Sequence, residues 1–208
     1  MKLSSNSFAN GQRIPKEFAF AIPDTAHHVS LGKNLNPHLA WTDVPEGVKS
    51  FAMICLDPDV PSKGDDVNQE DRSVPANLPR VDFFHWVLVD LPAKLCEIAV
   101  GEFSNEVTPR GKAGPAAPHG ARRGINDFTA LFANDNDLRG EYFGYDGPFP
   151  PWNDELLHHY VFTLYALDIE RLPLEGHFNG HAALAAMQGH ILAQASLTGT
   201  YTLNPKLL

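Results

Sequence analysis

The chain has 208 residues, 43% of them hydrophobic, which is enough for one well-buried core. Its 25 acidic residues outnumber 16 basic ones for a net charge of −9, and the basic residues form no stripe. Phosphate-backbone binding relies on clustered cations, so nucleic acid and a broad anionic membrane face are both poor partners. In chain order, "MKLSSNSFANGQRIP" has no apolar stretch and does not read as a secretory signal, so the expected location is cytoplasmic. No run approaches the roughly 20 apolar residues that span a bilayer. "IPKEFAFAI" is a short apolar segment, and "GKNLNPHLAW" reads as a turn before a strand carrying Trp41. "VPEG" turns into "VKSFAMICLD", whose near-continuous apolarity suits a strand covered on both faces.

Residues 62–80, "SKGDDVNQEDRSVPANLPR", are polar without a period and read as a long exposed loop. "VDFFHWVLVDLP" is the next strong strand, and a period of 2 puts His85, Val87 and Val89 on one face. Two Gly/Pro-rich coils follow, and then "LLHHYVFTLYALD", the clearest strand. Its alternation sends His158, Tyr160 and Phe162 one way and His159, Val161 and Thr163 the other. A helix is predicted over Ala182–Ala195, with Ala183, Leu184, Met187, Ile191 and Ala195 as its apolar stripe. "SLTGTYTL" closes as a strand. With no linker or repeat, the expectation is one domain over residues 1–208, mainly β with minor α.

Several chemistries are excluded by inspection. There is no GxSxG elbow, HExxH helix, GxGxxG turn or Walker loop. Neighbouring strand residues face opposite ways, so His158 and His159 cannot share one ion, and no metal or cofactor is expected. Cys55 and Cys96 lack CxxC spacing and are expected as buried free thiols. What remains is polar residues where strands meet coils: Asp57 and Asp59, His85, and His158 with Tyr160. Histidine and tyrosine two apart on a strand project into one space and can donate to an anion, and an aspartate beside the histidine raises its pKa. Satisfied core histidines and turn-forming aspartates are the alternative on spacing alone.

"LDPDVP", "FFHWVLVDLP", "GINDF", "GYDGPFPP" and "LHHYVFTLYALD", in this order, resemble the phosphatidylethanolamine-binding protein family, also called Raf kinase inhibitor-like proteins, in its bacterial branch. The resemblance implies an antiparallel Greek-key β-sandwich with a C-terminal helix and a small, polar pocket for phosphate, acetate or a phospholipid head group. The implied ligand-binding residues are Asp57, Asp59, Pro61, His85, Gly147, Pro148, His158 and Tyr160. It implies a cis Val60–Pro61 bond, His85 charged beside Asp57, and an anion bridging His85 and Tyr160 with N–H groups of the Gly147 turn. Loops near 62–80 and 129–143 stand as insertions beside the pocket. The expected function is non-enzymatic binding of a phosphate-containing small molecule, head group or phosphopeptide, without stable membrane insertion. Two alternatives stand beside it: a kinase or protease inhibitor that binds such a protein partner, and an ester or phosphoester hydrolase with His85 as general base. Homodimerisation is left open.

Overall fold

In this computed structural model, which describes residues 1–208, four long strands and several short ones are joined by extended connections. In chain order they are β1 (Lys2–Ser4), β2 (Ala21–Asp24), β3 (His28–Leu31), β4 (Leu39–Thr42), β5 (Ser50–Pro61), β6 (Arg80–Pro92), β7 (Glu97–Ile98) and β8 (Arg122–Arg123). A one-turn helix α1 (Phe128–Leu131) precedes β9 (His158–Leu167), helix α2 (Gly180–Met187) and β10 (Ile191–Tyr201). The main sheet has the order β10-β9-β5-β6-β8, and smaller sheets are β1-β4-β7 and β2-β3. Every pairing between these strands is antiparallel. No helix is long and apolar enough to cross a membrane.

The predicted strands Phe51–Leu56, Phe84–Val89 and Tyr160–Ala166 are the middle of β5, β6 and β9, the three inner strands of the main sheet. Their apolarity follows from two covers. Phe51, Met53 and Cys55 join a large core with Trp86, Leu88, Tyr160, Phe162 and the small sheet's Leu39, Trp41 and Ile98. Ala52 and Ile54 point the other way, into a smaller core with Val87, Val89 and Ala183 and Met187 of α2. Phe51–Cys55, buried on both faces, has no position for a charge, which is why this part of β5 reads as an unbroken greasy run.

Several expectations need correction. Helix α2 stops at Met187 rather than Ala195, because Gly189 turns left-handed at φ 82° and Ile191 onward pairs with β9. Of the forecast stripe, Ala183 and Met187 are buried, whereas Ile191 is 40% exposed in an edge strand. Cys96 is exposed, and only Cys55 is buried. The cis peptide bond of the chain is Gly114–Pro115, so Val60–Pro61 is trans. The Ser62–Pro79 connection is not wholly exposed either, since Val74 is fully buried and bridges to Asp154. The connection after Phe128 is largely structured too: Phe132 and Tyr142 are core residues.

A cavity between a bulge and an ion-pair chain

His85 is aimed by a β-bulge. Trp86 pairs with Cys55 and Phe84 with the very next residue, Leu56, so His85 has no partner across the ladder. The extra residue flips its side chain. Instead of lying with Val87 and Val89, the imidazole packs on the large-core side, edge-on to Tyr160 and Phe128 at ring-centroid distances of 5.0 and 5.4 Å. The backbone groups freed by the bulge are met elsewhere: Phe84 N–H donates to Asp127 Oδ2 at 2.7 Å, and Asp146 N–H donates to the His85 carbonyl at 2.9 Å.

His85 Nδ1 donates to the Asp146 carbonyl at 2.8 Å, which fixes the tautomer and leaves Nε2 uncommitted. Asp146 is itself immobilised. Its buried carboxylate accepts from Asn34 Nδ2 at 2.7 Å, Asn126 Nδ2 at 2.8 Å and Lys112 Nζ at 2.9 Å. Burial lowers the His85 pKa, and the nearby Asp57 charge offsets this only in part. The expectation of a charged His85 is thereby corrected: the buried imidazole favours the neutral form.

His158 is the charged histidine. Nδ1 lies 2.7 Å from Asp57 Oδ2 and Nε2 lies 3.1 Å from Asp154 Oδ2, so both nitrogens carry protons toward carboxylates. Burial alone would pull its pKa down, but the hydrogen bonds to Asp154 and Asp57 raise it to about 9. Arg80 holds Asp154 with two bonds of 2.6 and 3.0 Å. The result is an alternating chain, Arg80–Asp154–His158–Asp57, whose formal charges cancel. With both donors spent, His158 has no N–H left for an anion.

These groups floor a cavity of about 220 Å³. Asp57, His85 and His158 form its polar end, and Phe83, Phe128, Phe149, Val60, Val67 and Leu131 give it apolar walls. Pro61, Pro150 and Pro151 stiffen the rim, and Lys63 and Asn68 come from the Ser62–Pro79 loop. A small and polar pocket was expected; this one is small and mostly apolar. Tyr160 lies beneath it rather than in its lining. Its buried hydroxyl meets no partner in good geometry, and burial together with the Asp57 charge pushes its pKa well up.

The remaining sequence candidates sit outside the lining. Asp59 turns outward, where its Oδ2 accepts from the His159 backbone N–H at 2.8 Å and faces His159 Nδ1 at 2.9 Å. Gly147 N–H donates to Asn34 Oδ1 at 2.8 Å, and the Pro148 carbonyl accepts from Phe20 and Ala21. That turn therefore braces the site, and the Gly147 N–H is spent inside the fold rather than offered to the expected cradle. Asp146, Asp154 and Arg80 were missed by sequence reasoning. Asp146 stood inside "GYDGPFPP", directly before Gly147 and Pro148, and an acid set in a Gly/Pro turn was its one signal.

An antiparallel β scaffold holding a preformed apolar cavity with few, firmly oriented polar groups is the construction of a small-ligand binder. Residues 4–202 match the family model described as phosphatidylethanolamine-binding protein, and the chain belongs to that family. It is similar to the UPF0098 protein YbhB of Escherichia coli, 32% identical over 97% of this chain and all of that one. A UPF0098 protein of Aquifex aeolicus is also 32% identical, over 97% of this chain and 88% of its own. Among solved structures, Escherichia coli YbcL, described as a new member of the mammalian PEBP family, superposes with a TM-score of 0.68 at 25% identity, covering 97% of both chains. Membership supports a binding role in general terms.

Proposed function

We propose that the protein is a non-enzymatic binder of a phosphate-containing small molecule or head group. The phosphate meets His85 Nε2 at the floor and Lys63 at the rim, and the organic part lies against Phe83, Phe128 and Phe149. The observation that supports this is the fixed His85 tautomer: with Nδ1 committed to Asp146, Nε2 is the one ring nitrogen left for a ligand. Burial makes the imidazole favour neutrality. A bound phosphate favours its proton, so binding takes up a proton or shares one from the phosphate, whose second pKa is about 6. Affinity is then strongest at low pH and falls as pH rises through the bound-state pKa of the pair.

Calorimetric titration with phosphoethanolamine at two pH values tests this. His85→Ala should weaken binding about tenfold to a hundredfold, the worth of a charge-assisted hydrogen bond. His159→Ala, whose ring lies outside with Asp59, should bind as the parent does. Equal losses in both variants, or affinity that does not change with pH, would sink the reading. A neutral, oriented His85 also suits a general base, which keeps the hydrolase alternative in view. No serine, threonine or cysteine lines the cavity, so such an enzyme must use water. Absence of turnover on chromogenic esters and phosphoesters is the outcome expected.

A further inference from the structure

We propose that a second cavity, joined to the first through Asp146 but opening elsewhere, binds a compact oxyanion on Arg123. This cavity of about 210 Å³ is lined mainly by polar residues, among them Ser104, Asn105, Thr108, Lys112 and Arg123. None of its lining is shared with the cavity at His85.

Arg123 is the anomaly that carries the proposal. The arginines Arg80 and Arg122, whose side chains are largely buried, are each paired with a buried carboxylate, Asp154 and Asp90. Arg123 has no such partner. Its Nε is buried with no acceptor, and Nη1 has only the Ala113 carbonyl at a long 3.5 Å. Desolvating one edge of a guanidinium without an acceptor is costly, and a planar fork of N–H donors is shaped for the paired oxygens of a carboxylate or phosphate. Burial lowers its pKa, as expected of a cation lacking compensation, although Asp146 offsets part of this. Its route to the cavity passes Gly144, where an added Cβ would stand 3.0 Å from Arg123 Cδ.

The other charges in the lining are accounted for. Lys112 already donates to Ser104 Oγ, the Tyr145 carbonyl and Asp146, so it contributes field rather than bonds. Glu102 is occupied by the Ala99 N–H and by His119. Glu106 is exposed at the mouth, and its charge disfavours a polyanion. A small group of one or two charges is the ligand that fits.

The test follows the Arg123 Nε–H resonance of ¹⁵N-labelled protein during titration with inorganic phosphate and, separately, with acetate. Saturable movement of that signal is expected in the parent protein and equally in His85→Ala. Movement with phosphate alone identifies a tetrahedral oxyanion, and movement with acetate alone identifies a carboxylate. By calorimetry, Arg123→Gln should lose this binding step by about tenfold to a hundredfold while keeping the pH-dependent step at His85. Arg123→Lys keeps the charge should the glutamine variant fold poorly, and it should bind more weakly than the parent because it lacks the fork. A stationary Arg123 signal with both anions, or loss of its movement in His85→Ala, overturns the second site and leaves the first untouched.

Discussion

A histidine with a carboxylate on each ring nitrogen titrates with its neighbours. His158 is raised to about 9 from an ordinary value of 6.5. Its contribution to stability is therefore complete below about pH 6.5 and is lost as pH climbs through 9. The shift corresponds to roughly 3 kcal/mol as an upper bound. Asp154 works in the opposite sense: its pKa is lowered by His158 and Arg80 despite burial, so its contribution is lost as pH falls through that lowered value. Thermal melts from pH 6 to 10 should show the parent losing stability above pH 7 and His158→Gln starting lower and staying flat. The variant should lose about 3–5 kcal/mol near neutrality, since two buried carboxylates lose the cation between them. Adding Asp57→Asn should restore part of that loss, and failure to do so would remove charge from the explanation. Little of this was legible in sequence. The family resemblance brought His158 and Asp57 toward one place, but nothing in "PWNDELLHHY" reveals that Asp154 folds back onto a histidine four residues later.

Among the elements, β6 shows where periodicity stops being a guide. Alternation from Val89 back to Trp86 holds, and at His85 the register shifts by one. A bulge leaves no sequence mark when the inserted residue is stabilised by contacts from elsewhere, here Asp127 on Phe84 and Asp146 on His85. The bulge makes its own prediction. Asp127→Ala orphans the Phe84 N–H at a cost of about 1–3 kcal/mol and lets His85 drift, weakening phosphoethanolamine binding several-fold. Asp127→Asn retains an accepting oxygen and should do neither; a binding loss in Asn as large as in Ala would show that charge, not the bulge, positions the ring. The inner strands were legible because both faces are covered. The end of α2 was not, because "GHILAQA" satisfies a helical stripe as well as the strand it becomes, and pairing with β9 decides.

At the scale of the whole molecule, one side chain sets the shape of the wall that closes the cavity. Asn153 Nδ2 donates to the carbonyls of Asp66, Gln69 and Arg72, and its Oδ1 accepts from Asn68 N–H. Glu155 adds bonds from Ser73 Oγ and Ala76 N–H. Asn153→Asp keeps the acceptor but turns a carboxylate toward three carbonyl oxygens. We expect the Ser62–Pro79 loop to be cut faster by protease and ligand affinity to fall, with Tm lowered only slightly because neither core is touched. Unchanged cleavage would mean that Glu155 and Val74 suffice. The sequence marked this loop as a polar insertion but gave no hint that its order is borrowed from "PWNDE", since three carbonyls sharing one amide leave no composition signal.

The borrowing also has a history in time. As the chain leaves the ribosome, Asn68 appears 85 residues before the side chain that will hold it. Until then this wall has nothing to lean on. His158 of the floor follows only five residues after Asn153, so the wall and the polar floor become available together, and the cavity takes shape as one event late in synthesis.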